Sequence, residues 1–195
     1  MRYCPAPNTR EGLSDAEALD ASLRGLARTR ADFPIDTGLI VCGLRDLDPR
    51  TSAMLADLAV SYKGKGVVAF DLAGAEHGHP AREHREAFQA VASAGIGVTV
   101  HAGEVHGPDS IRQALHDCRA GRIGHGTRLR EDPDLLRTVK DLRIPIEVCL
   151  TSNVQTGAVA SYEEHPARRY LDDRLVAPSS TWSRSWSFST RWRRS

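Results

Sequence analysis

Short apolar runs alternate with helix-periodic stretches along most of the chain, and this alternation restricts the fold more than any other feature. The runs are Gly38-Leu39-Ile40-Val41-Cys42-Gly43, Val67-Val68-Ala69-Phe70-Asp71-Leu72, Val98-Thr99-Val100-His101, Arg122-Ile123-Gly124 and Pro145-Ile146-Glu147-Val148-Cys149. They are continuously apolar rather than alternating, the pattern of strands buried on both faces of a parallel sheet. Arg2-Tyr3-Cys4, ahead of Pro5 and Pro7, reads as the stump of another strand. Ser14 with Glu17 three residues on forms a capping box. It opens a helix with Leu19, Leu23 and Leu26 at helical spacing that ends before Pro34.

Further helices are expected over about 51–62 (Met54, Leu55, Leu58, Ala59, Tyr62), 81–94 and 109–118. Another opens at Asp132-Pro133, with proline at the first helical position, and a last one covers about 163–171. Thr151-Ser152-Asn153 reads as a polar loop after the last strand. Strands regularly followed by helices predict an α/β fold of the (β/α)8 TIM-type barrel kind. Five clear strands and one stump make it incomplete, about two strands short of closure.

The barrel is expected over residues 1–172, followed by a divergent tail over 173–195. From about Arg174 onward there is no acidic residue, and Trp182, Trp186 and Trp192 lie among serines and arginines. Three readings fit that tail: a disordered basic segment, an aromatic-interleaved segment for nucleic acid or membrane, or the product of a reading-frame change.

A formal net charge of +1 argues against a dedicated nucleic-acid surface and favours small-molecule chemistry. No apolar run of about 18 residues exists to span a membrane, and the N-terminus has no signal-peptide core. Cys4, Cys42, Cys118 and Cys149 are scattered without a C-x-x-C pair. This fits a reducing cytoplasm, with Cys42 and Cys149 as small buried strand residues.

The polar residues gather after the strands, which in such a barrel is the catalytic face. His101 ends an apolar strand, and the small Ala102-Gly103 link lets Glu104 share its pocket. A histidine there suits a metal ligand and the glutamate a general acid; a bare H-x-x-E also arises by chance. His125 lies between Gly124 and Gly126, either as a second base or as a turn histidine. Asp71 and Gly74 end another strand, as an orienting carboxylate and a backbone platform for a flat substrate, or as an ordinary turn. His77-Gly78-His79 is read as solvent-exposed loop, and His84, His106, His116 and His165 show no constellation around them. Asn153 and Glu147 either line the face or bond to nearby backbone.

Taken together, VVAFDLAG (67–74), VTVHAGE (98–104), RIGHG (122–126) and IEVCLTSNVQTGAV (146–159) resemble the adenosine deaminase family over about residues 2–172. The resemblance implies a zinc-assisted hydrolase of purine metabolism on a (β/α)8 barrel. It implies His101 as a zinc ligand, Glu104 as the proton donor to the purine ring, His125 as the residue that orients and helps deprotonate the attacking water, and Gly74 as a backbone contact to the purine.

Some of the family's pattern is not matched. The His-x-His pair at the end of the first strand and the two aspartates at the end of the last have no counterpart, so the barrel is expected to lack its first and last strands. Asp172-Asp173 ends a helix rather than a strand and is not taken for the aspartate pair. Ala75 stands where the family usually has an acid and Leu150 where it usually has proline. With one zinc ligand retained, zinc binding is expected to be weak or absent.

The reaction implied is deamination of adenosine or deoxyadenosine to inosine or deoxyinosine plus ammonia, with a purine nucleoside as the small-molecule partner. Adenine or another 6-aminopurine is the alternative substrate, and a non-catalytic barrel remnant is the alternative from a different class. Open barrel edges predict self-association.

Overall fold

The structure, a computed structural model, describes residues 1–177. Its centre is a parallel sheet in simple sequence order: β1 (Arg2–Tyr3), β2 (Leu39–Leu44), β3 (Val67–Ala73), β4 (Gly97–Ala102), β5 (Arg122–His125), β6 (Ile146–Glu147) and β7 (Val176–Ala177). Between them run α1 (Asp15–Asp32), α2 (Pro49–Ser61), α3 (Arg85–Ser93), α4 (Pro108–His116), α5 (Pro133–Asp141), α6 (Leu150–Gln155) and α7 (Ala167–Asp172). Sequential parallel strands with helical crossovers are the wall of a (β/α)8 barrel, here left open as expected.

The helices begin where local chemistry supplies acceptors for their free N–H groups. Ser14 Oγ accepts from the Glu17 amide at 3.3 Å while Glu17 Oε2 accepts from the Ser14 amide at 2.9 Å, the reciprocal box expected from sequence. Asp132 accepts from Leu135 at 2.9 Å ahead of Pro133. α2 turns Ser52, Leu55, Ala56 and Ala59 to the core, while Met54 is exposed. The core is made where strand side chains meet the helices: Val41, Phe70, Leu72 and Val100 against Leu55, Phe88, Val91 and Ile111, all fully buried.

Near the C-terminal side the elements depart from the pattern. β6 is two residues long, so Cys149 is not a strand residue but the half-buried N-cap of α6. Thr151-Ser152-Asn153, expected as a loop, is helical, with the Asn153 amide donating to the Cys149 carbonyl at 2.9 Å. These residues favour turns because their side chains compete for backbone partners. In α6 the Asn153 side chain is held by tertiary partners instead, which removes the competition. α7 begins at Ala167, later than its polar lead-in suggests.

The sheet also runs on past residue 172: Leu175 is buried and β7 pairs in parallel with β6. This strand was not legible in the sequence. Residues 178–195, with all three tryptophans, lie outside the described residues.

Candidate functional site

Three neighbouring strand ends build the site. The register sets His101 of β4 opposite Gly124 and Ala102 opposite His125 of β5. The two imidazole rings stand 5.2 Å apart, tilted by 54°. A Cβ on Gly124 would come within 3.2 Å of the Cα and Cγ of His101, so any larger residue there would push on the ring and its backbone. His125 itself has φ +63°, a left-handed conformation that a non-glycine residue adopts at a cost. Tyr170, fully buried, braces this turn by donating from its hydroxyl to the Gly126 carbonyl at 2.9 Å.

Asp71, at the end of β3, is fully buried and meets His101 Nδ1 at 3.0 Å through Oδ2. It also pairs with Arg2 Nε at 2.6 Å. Burial alone would raise the Asp71 carboxyl, but His101 and Arg2 outweigh it and hold the group below its ordinary value. Arg2 reaches Glu147 as well, at 2.7 Å, and Arg122 meets the same carboxylate at 3.0 Å. Glu147 is thus a buried carboxylate shared by two cations. His101 keeps Nε2 free of these contacts, the arrangement in which a carboxylate orients a metal-binding imidazole.

Glu104 follows β4. Its Oε1 accepts from Thr156 Oγ1 at 2.9 Å, Asn153 Nδ2 at 3.2 Å and Ser152 Oγ at 3.3 Å, and lies 3.3 Å from His125 Nδ1. Among the described residues all of these contacts fall on one oxygen, which leaves Oε2 to meet a ligand. The loop that carries Glu104 is ordered by Glu76. This carboxylate accepts from the amides of Gly103, Glu104, Val105 and His106 at 2.5–3.1 Å, and from Ser110 Oγ.

Glu76 was not singled out in the sequence: its partners lie 27 or more residues away, and nothing local marks it. Arg45, also unread, is almost fully buried and donates to the carbonyls of His79 and His101, tying β4 to the neighbouring loop. Gly74 has φ +89°, and a Cβ there would stand 2.5 Å from Asp46 Oδ1 and 3.2 Å from the Arg45 amide. Gly74 is exposed in this turn.

Two histidines read as isolated are not. His84 is buried, with Nδ1 2.8 Å from Ser52 Oγ. His165 is buried, with Nε2 3.0 Å from Asn153 Oδ1, and Asn153 in turn reaches His125 Nδ1 at 2.9 Å. Neither contact is visible along the chain, because it joins residues brought together only by packing. Burial, reinforced by the charge of His101, lowers His125 to about 4. Burial and then Arg130 lower His165 to about 4. His77 and Gly78 are exposed in their loop as expected, whereas His79 is half-buried, its carbonyl held by Arg45.

Among the described residues no group of three His, Cys, Asp or Glu side chains is placed to hold a metal ion. A catalytic zinc usually takes three protein ligands and one open position. His101 has the setting of one such ligand, and the described residues do not make a complete centre. Asp172 and Asp173 pair instead with Arg168 and Lys140, away from the site. No helix among the described residues is long and apolar enough to cross a membrane.

A family profile described as adenosine deaminase matches residues 1–181. The chain is 43% identical over 176 residues to a probable adenosine deaminase of Dictyostelium discoideum, covering 90% of this chain and 23% of that protein. It is 40% identical over 181 residues to an adenosine deaminase of Clostridium kluyveri, covering 93% of this chain and 52% of that one. The fold superposes on the crystal structure of an adenine deaminase from Arthrobacter aurescens with a TM-score of 0.82 at 29% identity, over 89% of this chain and 53% of that chain. The chain thus spans about half, or less, of the length of these relatives.

Proposed function

Because the chain belongs to the adenosine deaminase family, we propose that its strand ends carry the acid and the substrate-side backbone for hydrolytic deamination of adenosine or deoxyadenosine. The products are inosine or deoxyinosine and ammonia. The observation that carries this reading is the one-sided anchoring of Glu104. A carboxylic acid that protonates a purine ring nitrogen from Oε2 is left as a carboxylate. Here Ser152, Asn153 and Thr156 already point donors at Oε1 to stabilise that charge. Gly74 offers backbone to the flat base, and His125 supplies an imidazole next to His101.

Zinc is the metal the family resemblance implies, and bound at such a site it would supply a water acidic enough to react near neutral pH. His101 is the one described residue with a ligand's setting, so the described residues supply an incomplete ligand set for zinc. That observation supports a second reading, a non-catalytic barrel remnant. The likeness to the Arthrobacter aurescens adenine deaminase supports adenine or another 6-aminopurine as an alternative substrate.

The test is the purified full-length chain, assayed with zinc for conversion of adenosine, deoxyadenosine and adenine, with bound metal measured in parallel. Conversion of adenosine that falls by at least about a hundredfold in Glu104→Gln supports the first reading. No conversion of any of the three, with no bound zinc, sinks it and leaves the remnant.

A further inference from the structure

A chain of hydrogen bonds with an unambiguous direction runs from the backbone of α7 to the site. It starts at the amide of Ala167, which can only donate and lies 3.0 Å from His165 Nδ1. His165 Nδ1 must therefore accept, and the proton of the neutral ring sits on Nε2. That nitrogen lies 3.0 Å from Asn153 Oδ1 and donates to it. With its oxygen engaged on one side, the Asn153 amide turns its NH2 to the other, where two acceptors wait: Glu104 Oε1 at 3.2 Å and His125 Nδ1 at 2.9 Å. An NH2 group has two protons and donates one to each. His125 Nδ1 must then accept, which places the His125 proton on Nε2. His165 and Asn153 are both buried, so water does not compete for these partners.

The geometry points to His165 as a positioning residue that, through Asn153, fixes the tautomer of His125, so that His125 meets a ligand oxygen as an N–H donor from Nε2 and orients it rather than taking its proton, the half of the role the family resemblance implies that this tautomer allows. Without Asn153, the nearest partner of His125 Nδ1 is Glu104 Oε1, at 3.3 Å. A carboxylate only accepts, so it would draw the His125 proton to Nδ1 and leave Nε2 bare. Asn153 thus stands as the shared donor between two neighbouring acceptors, Glu104 Oε1 and His125 Nδ1. The consequence for chemistry rests on the proposed deaminase reading, but the tautomer itself does not, and it can be measured without turnover.

The experiment is 15N NMR of the full-length chain with 15N-labelled histidine at neutral pH, His125 being assigned from the spectrum of His125→Gln. The wild-type chain is expected to show His125 neutral with Nδ1 unprotonated and Nε2 protonated, and His165 in the same form. Asn153→Ala is expected to move the His125 proton to Nδ1. His165→Ala, which frees the amide to turn over, is expected to shift the same resonances part of the way. A wild-type His125 protonated on Nδ1 overturns the proposal with no variant needed. So does a His165→Ala chain that keeps its backbone amide spectrum and leaves the His125 signals unmoved. If the variants do not fold, the wild-type tautomers of His125 and His165 decide alone. The deaminase reading fails separately, on the conversion assay.

Discussion

Arg2 shows how much a single buried cation can carry. Its side chain is 13% exposed and lies between Asp71 and Glu147, which are 0% and 1% exposed. Removing it leaves two buried carboxylates short of a counter-charge, and the loss of one partner from a buried pair costs about 3–5 kcal/mol. Arg2→Ala is therefore expected to lower stability by about that much in urea unfolding, and a loss under about 1 kcal/mol would show that Arg122 and His101 suffice. The effect should reach the site, because Asp71 is what holds His101 Nδ1. Glu76 plays the corresponding part for Glu104, through the backbone amides rather than a side chain.

At the scale of elements, the close approach of β4 and β5 is the demanding contact. Gly124→Ala puts a methyl 3.2 Å from the Cα of His101, where backbone must yield. Overpacking of this kind costs about 1–3 kcal/mol. Gly25, within α1, meets nothing within 4 Å of an added Cβ. Gly25→Ala is expected to stabilise by about 0.5–1 kcal/mol, since glycine is the costlier residue in a helix interior. Paired urea midpoints check both, and equal shifts of one sign would contradict the argument. α6 makes a different point about elements. It is a helix of turn-favouring residues, formed because Asn153 and Thr156 find partners on β5 and the β4 loop.

At the scale of the whole molecule, pH should act through the buried histidines. His125 and His165 fall to about 4 in the fold, against about 6.5 in an unfolded chain. Between those values the unfolded state binds more protons, so stability rises with pH there and is fully present above about 6.5. The slope is at most about 1.4 kcal/mol per pH unit for each histidine, and less where solvent screens the ring. Urea midpoints at pH 7.5, 6 and 5 measure it, and flat stability over that range would mean the rings are charged in the fold. Asp71 adds loss in the same direction only below the ordinary carboxylate range. Among the described residues β1 and β7 each pair on one side only. Such edges predict concentration-dependent self-association, and sedimentation velocity showing a monodisperse monomer at high concentration would count against it.

The alternation of apolar runs with capped helices was enough to determine the class of fold and the edge on which polar residues gather. Both depend on periodicities and end signals carried within a few neighbouring residues, such as Ser14 with Glu17 or Asp132 with Pro133. His101, Glu104 and His125 were legible for the same reason: each sits at a strand end, and the sheet register then brings adjacent ends together. What only the tertiary structure decided is what those residues touch. Arg2 reaches Glu147 across 145 positions, Glu104 reaches Thr156 across 52, and His165 acts on His125 through Asn153. A buried polar side chain must find a partner wherever packing offers one, and the sequence separation to that partner leaves no local trace. The helix at Asn153 and the short strand at Val176 were hidden for that reason, since each is held by contacts with elements far along the chain.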